Sequence, residues 1–297
     1  MNNSQSSRKW VPITALILAT MLWATSFGVV KAAMEIYHPY MLVFGRMLVA
    51  TLCFLPLMVR RRRIWVFKPG TLKLLLFMGV CEPGLYFLLE VAALRHTTAS
   101  QAGMITAMLP LLVALGAFFY LKEKLSGIMV IGFLLAIAGA CWLSIAGQPT
   151  RGAPDPVLGN FFEFLAMVCA AGYMLSAKRL IADFGYSPAM ITAVQAVIGF
   201  VFYLPLLMLP EISIQAHWQA DYLWAIVYLG GFITVGAYGL YNFGISHLPA
   251  GQAALFINLI PVFSVFFGWL ILGETFTAAQ YFAGTMILAG IYLSQRR

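Results

Sequence analysis

Four ionisable side chains interrupt long apolar stretches of this sequence: Arg46, Glu82, Glu90 and Glu163. An ionised side chain inside hydrocarbon costs about 2.5–3.5 kcal/mol on insertion scales, so it needs a partner or a polar cavity. Glu82 and Glu90 are eight residues apart, a little over two helical turns, and can face the same side of a helix. Because Arg46 can neutralise one of them, the set predicts either a structural ion pair or a site for a solute or a coupling proton. Glu163 stands near the end of its stretch and is expected to reach the lipid headgroups.

Aromatic and amide side chains occur in the same apolar stretches. Taken singly, each is explained by core packing or by an aromatic belt at the membrane surface. As a set near the middle of their stretches, they predict a wide pocket for a partly apolar, partly polar solute. The predicted lining residues are Trp23, Phe27, Tyr86, Tyr173, Tyr238, Asn242 and Asn258.

Three prolines are predicted hinges. Pro83 stands in Glu82-Pro83-Gly84, where proline removes a helical hydrogen bond and glycine frees the backbone. Pro110 and Pro261 each lie about midway along an apolar stretch. Interruptions at matched positions indicate a binding site or a hinge, although close packing through small residues also explains the glycines.

The composition requires an integral membrane protein. Of the 297 residues, 62% are apolar and 9% are charged, against roughly 25% charged in soluble domains. The net charge of +8 does not indicate a nucleic-acid partner, because the basic residues stand at the ends of the apolar stretches. The first stretch, 11–30, exceeds a signal-peptide core of roughly 7–15 residues and is interpreted as an uncleaved helix. The cysteines all lie in apolar segments and form no visible disulfide framework: Cys53, Cys81, Cys141 and Cys169.

The apolar stretches predict an all-α fold with ten transmembrane helices, since only helices or closed barrels span lipid and a spanning helix needs about 20 apolar residues. Proline begins several of them, where its missing N–H costs little. The predicted spans are 11–31, 38–59, 71–93, 98–121, 125–145, 157–178, 187–209, 220–244, 249–272 and 277–294.

The distribution of lysine and arginine predicts the orientation. With the N-terminus inside, 14 of the 18 basic residues fall on the inner side and three fall on the outer side, Lys31, Arg95 and Arg151. Positive charge is retained on the cytoplasmic side. Both termini are therefore expected in the cytoplasm, with the protein in the cell (inner) membrane.

The chain also repeats itself at an offset of 151 residues. Five spans is an odd number, so the second copy enters the membrane from the opposite side and the repeat is inverted, as in many secondary transporters. The predicted repeats are residues 1–148, with spans one to five, and 149–297, with spans six to ten. The matched positions include His96 and His247, Gln101 and Gln252, Pro110 and Pro261, and Glu123 and Glu274.

Three stretches resemble the EamA-type exporters of the drug/metabolite transporter superfamily: Trp23-Ala-Thr-Ser-Phe27, Pro110 through Tyr120-Leu121-Lys122-Glu123, and Pro261 through Leu272-Gly273-Glu274. One departure is Lys122-Glu123, where the second half has Gly273-Glu274. The resemblance covers nearly the whole chain. It implies a ten-helix exporter similar to bacterial amino-acid and metabolite exporters.

The leading hypothesis is a secondary transporter that moves small organic solutes by alternating access, with export of amino acids, aromatic ones among them, or related metabolites. A nucleotide-sugar or sugar-phosphate exchanger is the alternative, and Arg46 is the one clear phosphate-binding candidate for it. A membrane enzyme using Glu82 or Glu90 is a weaker one, because no Walker A, H-E-x-x-H or G-x-S-x-G motif is present. We predict no catalytic residue, metal or cofactor; the expected partners are a small solute and the lipid bilayer, and the oligomeric state is left open.

The orientation can be tested with a single cysteine in place of Arg62, in a chain whose four native cysteines are replaced. An impermeant maleimide added outside intact cells should leave this cysteine unlabelled and should label it after permeabilisation. A cysteine in place of Arg151 is the matched control and should be labelled from outside. Strong external labelling at position 62 would reverse the predicted topology.

Overall fold

The computed structural model describes residues 3–60, 67–121, 127–209, 223–248 and 256–294, and nearly all of them are helical. We number the spans in chain order. They are span one, Asn3–Ala33; two, Pro39–Arg60; three, Leu72–Gly79, Val80–Leu85 and Tyr86–His96; four, Ala99–Ile105, Thr106–Met108 and Leu109–Leu121; five, Gly127–Ile145; six, Pro156–Ala182; seven, Pro188–Tyr203 and Pro205–Met208; eight, Leu223–Val227, Tyr228–Ala237 and Tyr238–His247; nine, Leu259–Leu272; and ten, Ala278–Ser294.

The predicted all-α membrane fold is confirmed. Eight of the described helices are long and apolar enough to cross a membrane, and the shorter helix of span nine is equally apolar in character. Every predicted stretch contains a helix. The helix of span one begins eight residues before the predicted start, and the other described ends differ by a few residues. The starts predicted for spans five, eight and nine lie outside the described residues. Parts of two other predictions also lie outside the described residues. They are the repeat positions Glu123 and Gln252, and the basic residues Arg61–Arg63 that support the orientation.

Span three is interrupted where the sequence places Glu82-Pro83. Glu82 has extended backbone angles, φ −150° and ψ 118°, between two helical segments. A residue that precedes proline is disfavoured in the helical region by a clash with the proline ring, which explains the break at this position. The Tyr203 hydroxyl of span seven donates to the carbonyl oxygens of Pro83, at 3.1 Å, and Gly84, at 2.6 Å. Those carbonyls therefore have a partner inside the bundle.

Spans four, eight and nine are also irregular, at related positions of the two halves. Span four tightens to a 3₁₀ turn at Thr106–Met108, and Pro110 is the second residue of the helix that follows. In span nine, a turn at Asn258 follows helical Phe256 and Ile257, and Pro261 is the third residue of the segment Leu259–Leu272 that comes next. Both prolines thus occupy a first turn, where no N–H is needed. The wide π-type segment of span eight, Tyr228–Ala237, is the counterpart of the break in span three.

Spans five and ten pack against each other through small residues. A Cβ atom at Gly132 would lie 2.5 Å from the carbonyl oxygen of Gly290. The repeat partners Gly139 and Gly290 both lie in this interface, since a Cβ at Gly139 would lie 2.9 Å from the Ala283 carbonyl oxygen. Such contacts let two helix backbones approach closely, which is the main source of packing energy between helices in lipid. Gly132, Ala136 and Ala140 recur at every fourth position of span five, a stripe of small residues typical of close helix packing, so we regard spans five and ten as a scaffold interface.

Span six runs antiparallel to span three. At one end, a Cβ on Gly159 would lie 2.9 Å from the carbonyl oxygen of Ala93. At the other end, a Cβ on Gly172 would lie 2.8 Å from the Cys81 sulfur. These two contacts fix which residues of spans three and six face each other.

The scaffold interface can be tested with Gly132→Ala. The added methyl group meets the Gly290 backbone, and overpacking of this kind costs about 1–3 kcal/mol. We expect a lower midpoint of thermal unfolding in detergent. Gly239→Ala is the control, because a Cβ there meets nothing within 4 Å and alanine favours a helix over glycine by roughly 0.5–1 kcal/mol. Equal midpoints for the two variants would contradict the packing argument.

Candidate functional site

A central cavity lies between spans one, two, three, four, six, eight and nine. The volume of this cavity is about 40 Å³, which is enough for a few water molecules. No residue of spans five or ten borders it, as far as the described residues extend. The walls are formed by Trp23, Ser26, Phe27, Arg46, Glu82, Tyr86, Phe87, Glu90, Thr106, Leu109, Met167, Ala170, Tyr173, Met174, Tyr238 and Ile260.

Arg46 is the cationic group of this cavity and is 3% exposed. Its Nε donates to the Thr234 hydroxyl at 2.7 Å, and its guanidinium carbon lies 4.1 Å from the centre of the Phe87 ring. Thr234 reaches it because Gly230, one turn earlier on the same face, brings span eight against the Arg46 backbone. A cation over an aromatic face is stabilised by the ring quadrupole. The guanidinium is therefore held by neutral groups on two neighbouring spans.

The direct ion pair offered by the sequence is not formed in this conformation. No Arg46 nitrogen lies within 4.0 Å of a carboxylate oxygen of Glu82 or Glu90, all three being among the described residues. All three nevertheless border the same cavity. The site therefore presents one cationic and two acidic groups to a shared space, and parts of the guanidinium remain available to a ligand.

Each of the two acidic groups is bound by a tyrosine. Tyr86 donates its hydroxyl to Glu90 Oε1 at 2.9 Å, one helical turn away on span three. Tyr238 of span eight donates to Glu82 Oε1. The break at Glu82 turns that side chain towards span eight, so the kink in span three and the position of Tyr238 together make the second contact. Tyr86 and Tyr238 are thereby located by hydrogen bonds rather than by apolar packing alone.

Aromatic rings form one wall of the cavity. Trp23 packs against Tyr238 and against Tyr241, with ring centroids 5.0 Å apart in each case. Tyr173 meets Tyr238 edge to face at 5.9 Å. The buried indole N–H of Trp23 has no hydrogen-bond partner in the described part of the chain. It is a donor that a bound molecule can use.

A second layer of amides supports Tyr173. The side-chain nitrogen of Asn242 donates to the Tyr173 hydroxyl at 3.1 Å and to the Thr192 hydroxyl at 2.9 Å. Tyr173 in turn donates to Gln195 Oε1 at 3.2 Å. This network fixes the orientation of Tyr173 from behind. Sequence reasoning missed Thr192 and Gln195 because a single polar residue in a mostly apolar helix carries no signal of its partner.

The structure corrects three placements. Asn242 does not border the cavity, because it lies one turn beyond Tyr238 and points between spans six and seven. Asn258 does not border it either: it forms a half-buried turn within span nine, and its Oδ1 has no partner among the described residues. Glu163 does not reach the headgroups, since it is fully buried and packs inward. Trp23, Phe27, Tyr86, Tyr173 and Tyr238 do line the cavity.

The end of the bundle that holds Lys31, here called the Lys31 end, is closed by two sets of contacts. Lys31 Nζ donates to the carbonyl oxygens of Leu94 at 3.3 Å, Gly152 at 2.8 Å and Thr97. These contacts join span one to the end of span three and to the segment between spans five and six. They hold the ends of three structural elements together at one lysine.

Glu274, just after span nine, makes the second set. Its two carboxylate oxygens accept the backbone N–H groups of Ala99, at 2.9 Å, and Ser100, at 2.8 Å. These are the first residues of span four, where N–H groups lack helical partners and an acidic group is favourable. The positions of spans four and nine are thus tied together beside the cavity.

The chain belongs to the EamA-like transporter family, whose model matches residues 10–145 and again 157–295. The two matches are successive copies of one unit, and the resemblance drawn from the sequence is confirmed. The protein is therefore a multi-pass membrane protein of a transporter family. Its ten-helix fold consists of two five-helix repeats.

Named relatives agree with this family. The chain is 28% identical over 202 residues to the uncharacterized transporter YetK of Bacillus subtilis, spanning 67% of this chain and 61% of that protein. It is 24% identical over 294 residues to a probable terminal-alkyne amino-acid exporter of Streptantibioticus cattleyicolor, covering 96% and 93% of the two chains. A solved crystal structure has the same fold, with a TM-score of 0.65, 19% identity and coverage of 97% and 96%.

The support of Arg46 can be tested by changing Thr234. Thr234→Val keeps the shape but removes the hydroxyl that accepts from the guanidinium, and a hydrogen bond to a charged group contributes about 1.5–3 kcal/mol. We expect a lower unfolding midpoint in detergent and weaker solute transport. Thr234→Ser keeps the acceptor and should behave like the native protein. Indistinguishable Val and Ser variants would show that the bond does not hold Arg46.

Proposed function

We propose that this protein exports amino acids or related metabolites across the cell (inner) membrane, as a secondary transporter with alternating access. The observation that carries the proposal is the buried cavity in which Arg46 and two glutamates face one another beside aromatic rings. One relative is named as an amino-acid exporter, and that name favours the same class of solute and the same direction.

The cavity suits a zwitterion. A carboxylate can be bound by the Arg46 guanidinium, which has no carboxylate partner of its own within 4.0 Å, and by the free N–H of Trp23. An ammonium group can be bound by Glu82 or Glu90. Opposite charges on the solute then meet opposite charges on the protein, which limits the cost of desolvating each.

Aromatic or aliphatic amino acids fit this wall best. The side chain of the solute would contact Phe27, Trp23 and Tyr238, which present ring surface to the cavity. Ring pairs at such separations contribute about 0.5–1.5 kcal/mol beyond their buried area. A phosphate group needs several cationic partners, and Arg46 alone supplies one among the described lining residues, so a sugar-phosphate or nucleotide-sugar exchanger is the weaker alternative.

Alternating access is supported by the closure at the Lys31 end. The cavity volume of about 40 Å³ is too small for an amino acid, so spans must separate to admit one. Lys31 and Glu274 join the spans that would separate, and their contacts are to backbone groups that water can replace. We assign the Lys31 end to the outside, as the charge distribution predicts. Opening there requires both sets of contacts to break, and Pro83, Pro110 and Pro261 are the proposed hinges.

Counterflow in proteoliposomes tests the function. Vesicles loaded with one unlabelled amino acid at a time should accumulate the labelled form of that amino acid, with no chemical change in it. A panel of the 20 standard amino acids, a sugar phosphate and a nucleotide sugar separates the two transport classes. Chemical conversion of any of these compounds, without accumulation, would instead support a membrane enzyme.

Trp23→Phe tests whether the cavity is the binding site. The variant keeps an aromatic ring but loses the N–H, and a neutral hydrogen bond of about 0.5–1.5 kcal/mol corresponds to a rise in KM of about 2- to 12-fold. Trp269→Phe is the matched control, since Trp269 is 58% exposed on the bundle surface. An unchanged KM in Trp23→Phe, or an equal rise in both variants, would place solute binding elsewhere.

A further inference from the structure

Glu163 is a buried carboxyl group that the solute cavity does not use. It lies on span six with no exposed surface, and neither of its carboxylate oxygens has a hydrogen-bond partner among the described residues. It does not border the central cavity. An ionised carboxylate without donors is strongly disfavoured inside a bilayer, so a group in this position requires a proton or a cation.

The packing of spans three and six places Glu163 opposite Glu90. Gly159 contacts Ala93 in this antiparallel pair. Glu163 lies four residues after Gly159, and Glu90 lies three residues before Ala93. Residues three or four apart share a helix face, so both glutamates lie in the same interface, one turn further in. Both side chains are buried, with 3% of Glu90 and none of Glu163 exposed.

We propose that Glu90 and Glu163 form a proton-binding pair at the edge of the solute cavity. Two carboxylates facing each other in a low-dielectric interface repel, so the pair retains a proton. Glu90 borders the cavity and accepts a hydrogen bond from Tyr86, which stabilises its ionised form. Glu163 has no such donor and holds the proton when Glu90 is charged. Transfer breaks the O–H bond of one carboxyl group and forms one on the other, directly or through a water molecule.

The Glu90–Glu163 pair provides a way to couple proton movement to solute movement, and this coupling rests on the proposed function. When Glu90 is charged, it can bind the ammonium group of a solute; when it is protonated, it cannot. A proton arriving at Glu90 from Glu163 would therefore release the solute. Movement of protons in one direction would drive the solute in the other, which is the exchange that an exporter needs.

The surroundings of Glu163 are known from every span packed on span six. Span three supplies Glu90 and Tyr86, further along it Glu82 and Cys81, and at its other end His96, whose ring lies 6.3 Å from that of Phe162 on span six. Arg46 of span two borders the same cavity as Glu90. The described side chains of span four include no ionisable group, and Cys141 of span five is exposed. Three tyrosine hydroxyls of spans seven and eight face span six or span three, and none of them bonds Glu163. Tyr203 donates to the Pro83 carbonyl oxygen, Tyr238 to Glu82, and Tyr241 to the Met174 sulfur.

A proton fits the pair better than a metal ion. Metal sites in proteins draw on several ligands, and the described residues contain no group of three or more His, Cys, Asp or Glu side chains that could hold one. Two carboxyl groups without further oxygen donors suffice for a proton. The small number of polar atoms in this interface therefore favours a proton over a metal ion.

Infrared spectroscopy of the purified protein in lipid tests the pair without any solute. A pH titration should show the carbonyl band of a protonated carboxylic acid in an apolar environment. Glu163→Gln should remove this band, and Glu90→Gln should move the pH at which the Glu163 band disappears. Glu82→Gln is the matched control, a buried carboxyl bound to Tyr238, and should leave the Glu163 band in place. Identical titrations for the native protein and Glu163→Gln would overturn the proposal.

Transport by the same variants tests the coupling. For an amino acid found by counterflow, Glu163→Gln should lose the dependence of transport on pH while retaining exchange. Glu90→Gln removes the proposed ammonium partner and should weaken transport at every pH. Full pH dependence in Glu163→Gln would refute the coupling role even if the infrared band is lost. If no amino acid is transported at all, the proposed function fails, and the infrared result still decides whether the pair binds a proton. If Glu163→Gln does not fold, the Glu90→Gln titration decides, because an unmoved carboxyl band in that variant would overturn the pair.

Discussion

A single buried guanidinium determines how the polar groups at the centre of this bundle are arranged. Lipid does not solvate the Arg46 guanidinium, so the surrounding helices must supply its partners. They do so with a threonine hydroxyl and an aromatic face, and with two glutamates across a shared cavity rather than in direct contact. Because its charge is not fully neutralised by a contact pair, the space around Arg46 stays polar. That space is the candidate binding site.

The irregular helices follow from the same constraint. A polar space inside a membrane bundle is lined most readily by helices that bend or break, provided the freed backbone groups find partners. In span three the break at Glu82 turns a carboxylate towards Tyr238, and Tyr203 bonds the carbonyl oxygens beside Pro83. The irregular span eight carries Thr234 to Arg46. The interruptions in spans three and eight thus point side chains into the site, whereas straight helices would point the same side chains elsewhere.

The bundle contains two kinds of contact with different consequences for motion. Spans five and ten meet backbone to backbone through glycine, in an interface that an added methyl group would disrupt. At the Lys31 end, Lys31 joins span one to the end of span three, and Glu274 joins span nine to span four, in both cases through backbone groups. The first kind is well suited to remain intact during transport, whereas water can replace the second. This contrast gives the proposed opening a defined set of bonds to break.

The sequence by itself determined the membrane class, the number of spans, the internal repeat and half of the residues that line the cavity. These follow from large, local penalties: too few charges to face water, about 20 apolar residues for each crossing, and a high cost for every charge in lipid. Arg46, Glu82 and Glu90 were identifiable for the same reason. The break at Glu82 was identifiable as well, since proline restricts the residue before it.

Only the tertiary structure decided what each buried group touches. A helix that is apolar on every side does not reveal how it is rotated about its axis, and that rotation depends on all of its neighbours at once. Hence Asn242 turned out to support Tyr173 from behind the cavity, and Arg46 to bond Thr234. Glu163 stands near the end of its apolar stretch, and the sequence therefore predicted that it would reach the lipid headgroups. In the structure it is buried in the interface with span three. Its environment is set by the close contact at Gly159, which depends on residues that are more than 60 positions apart in the chain.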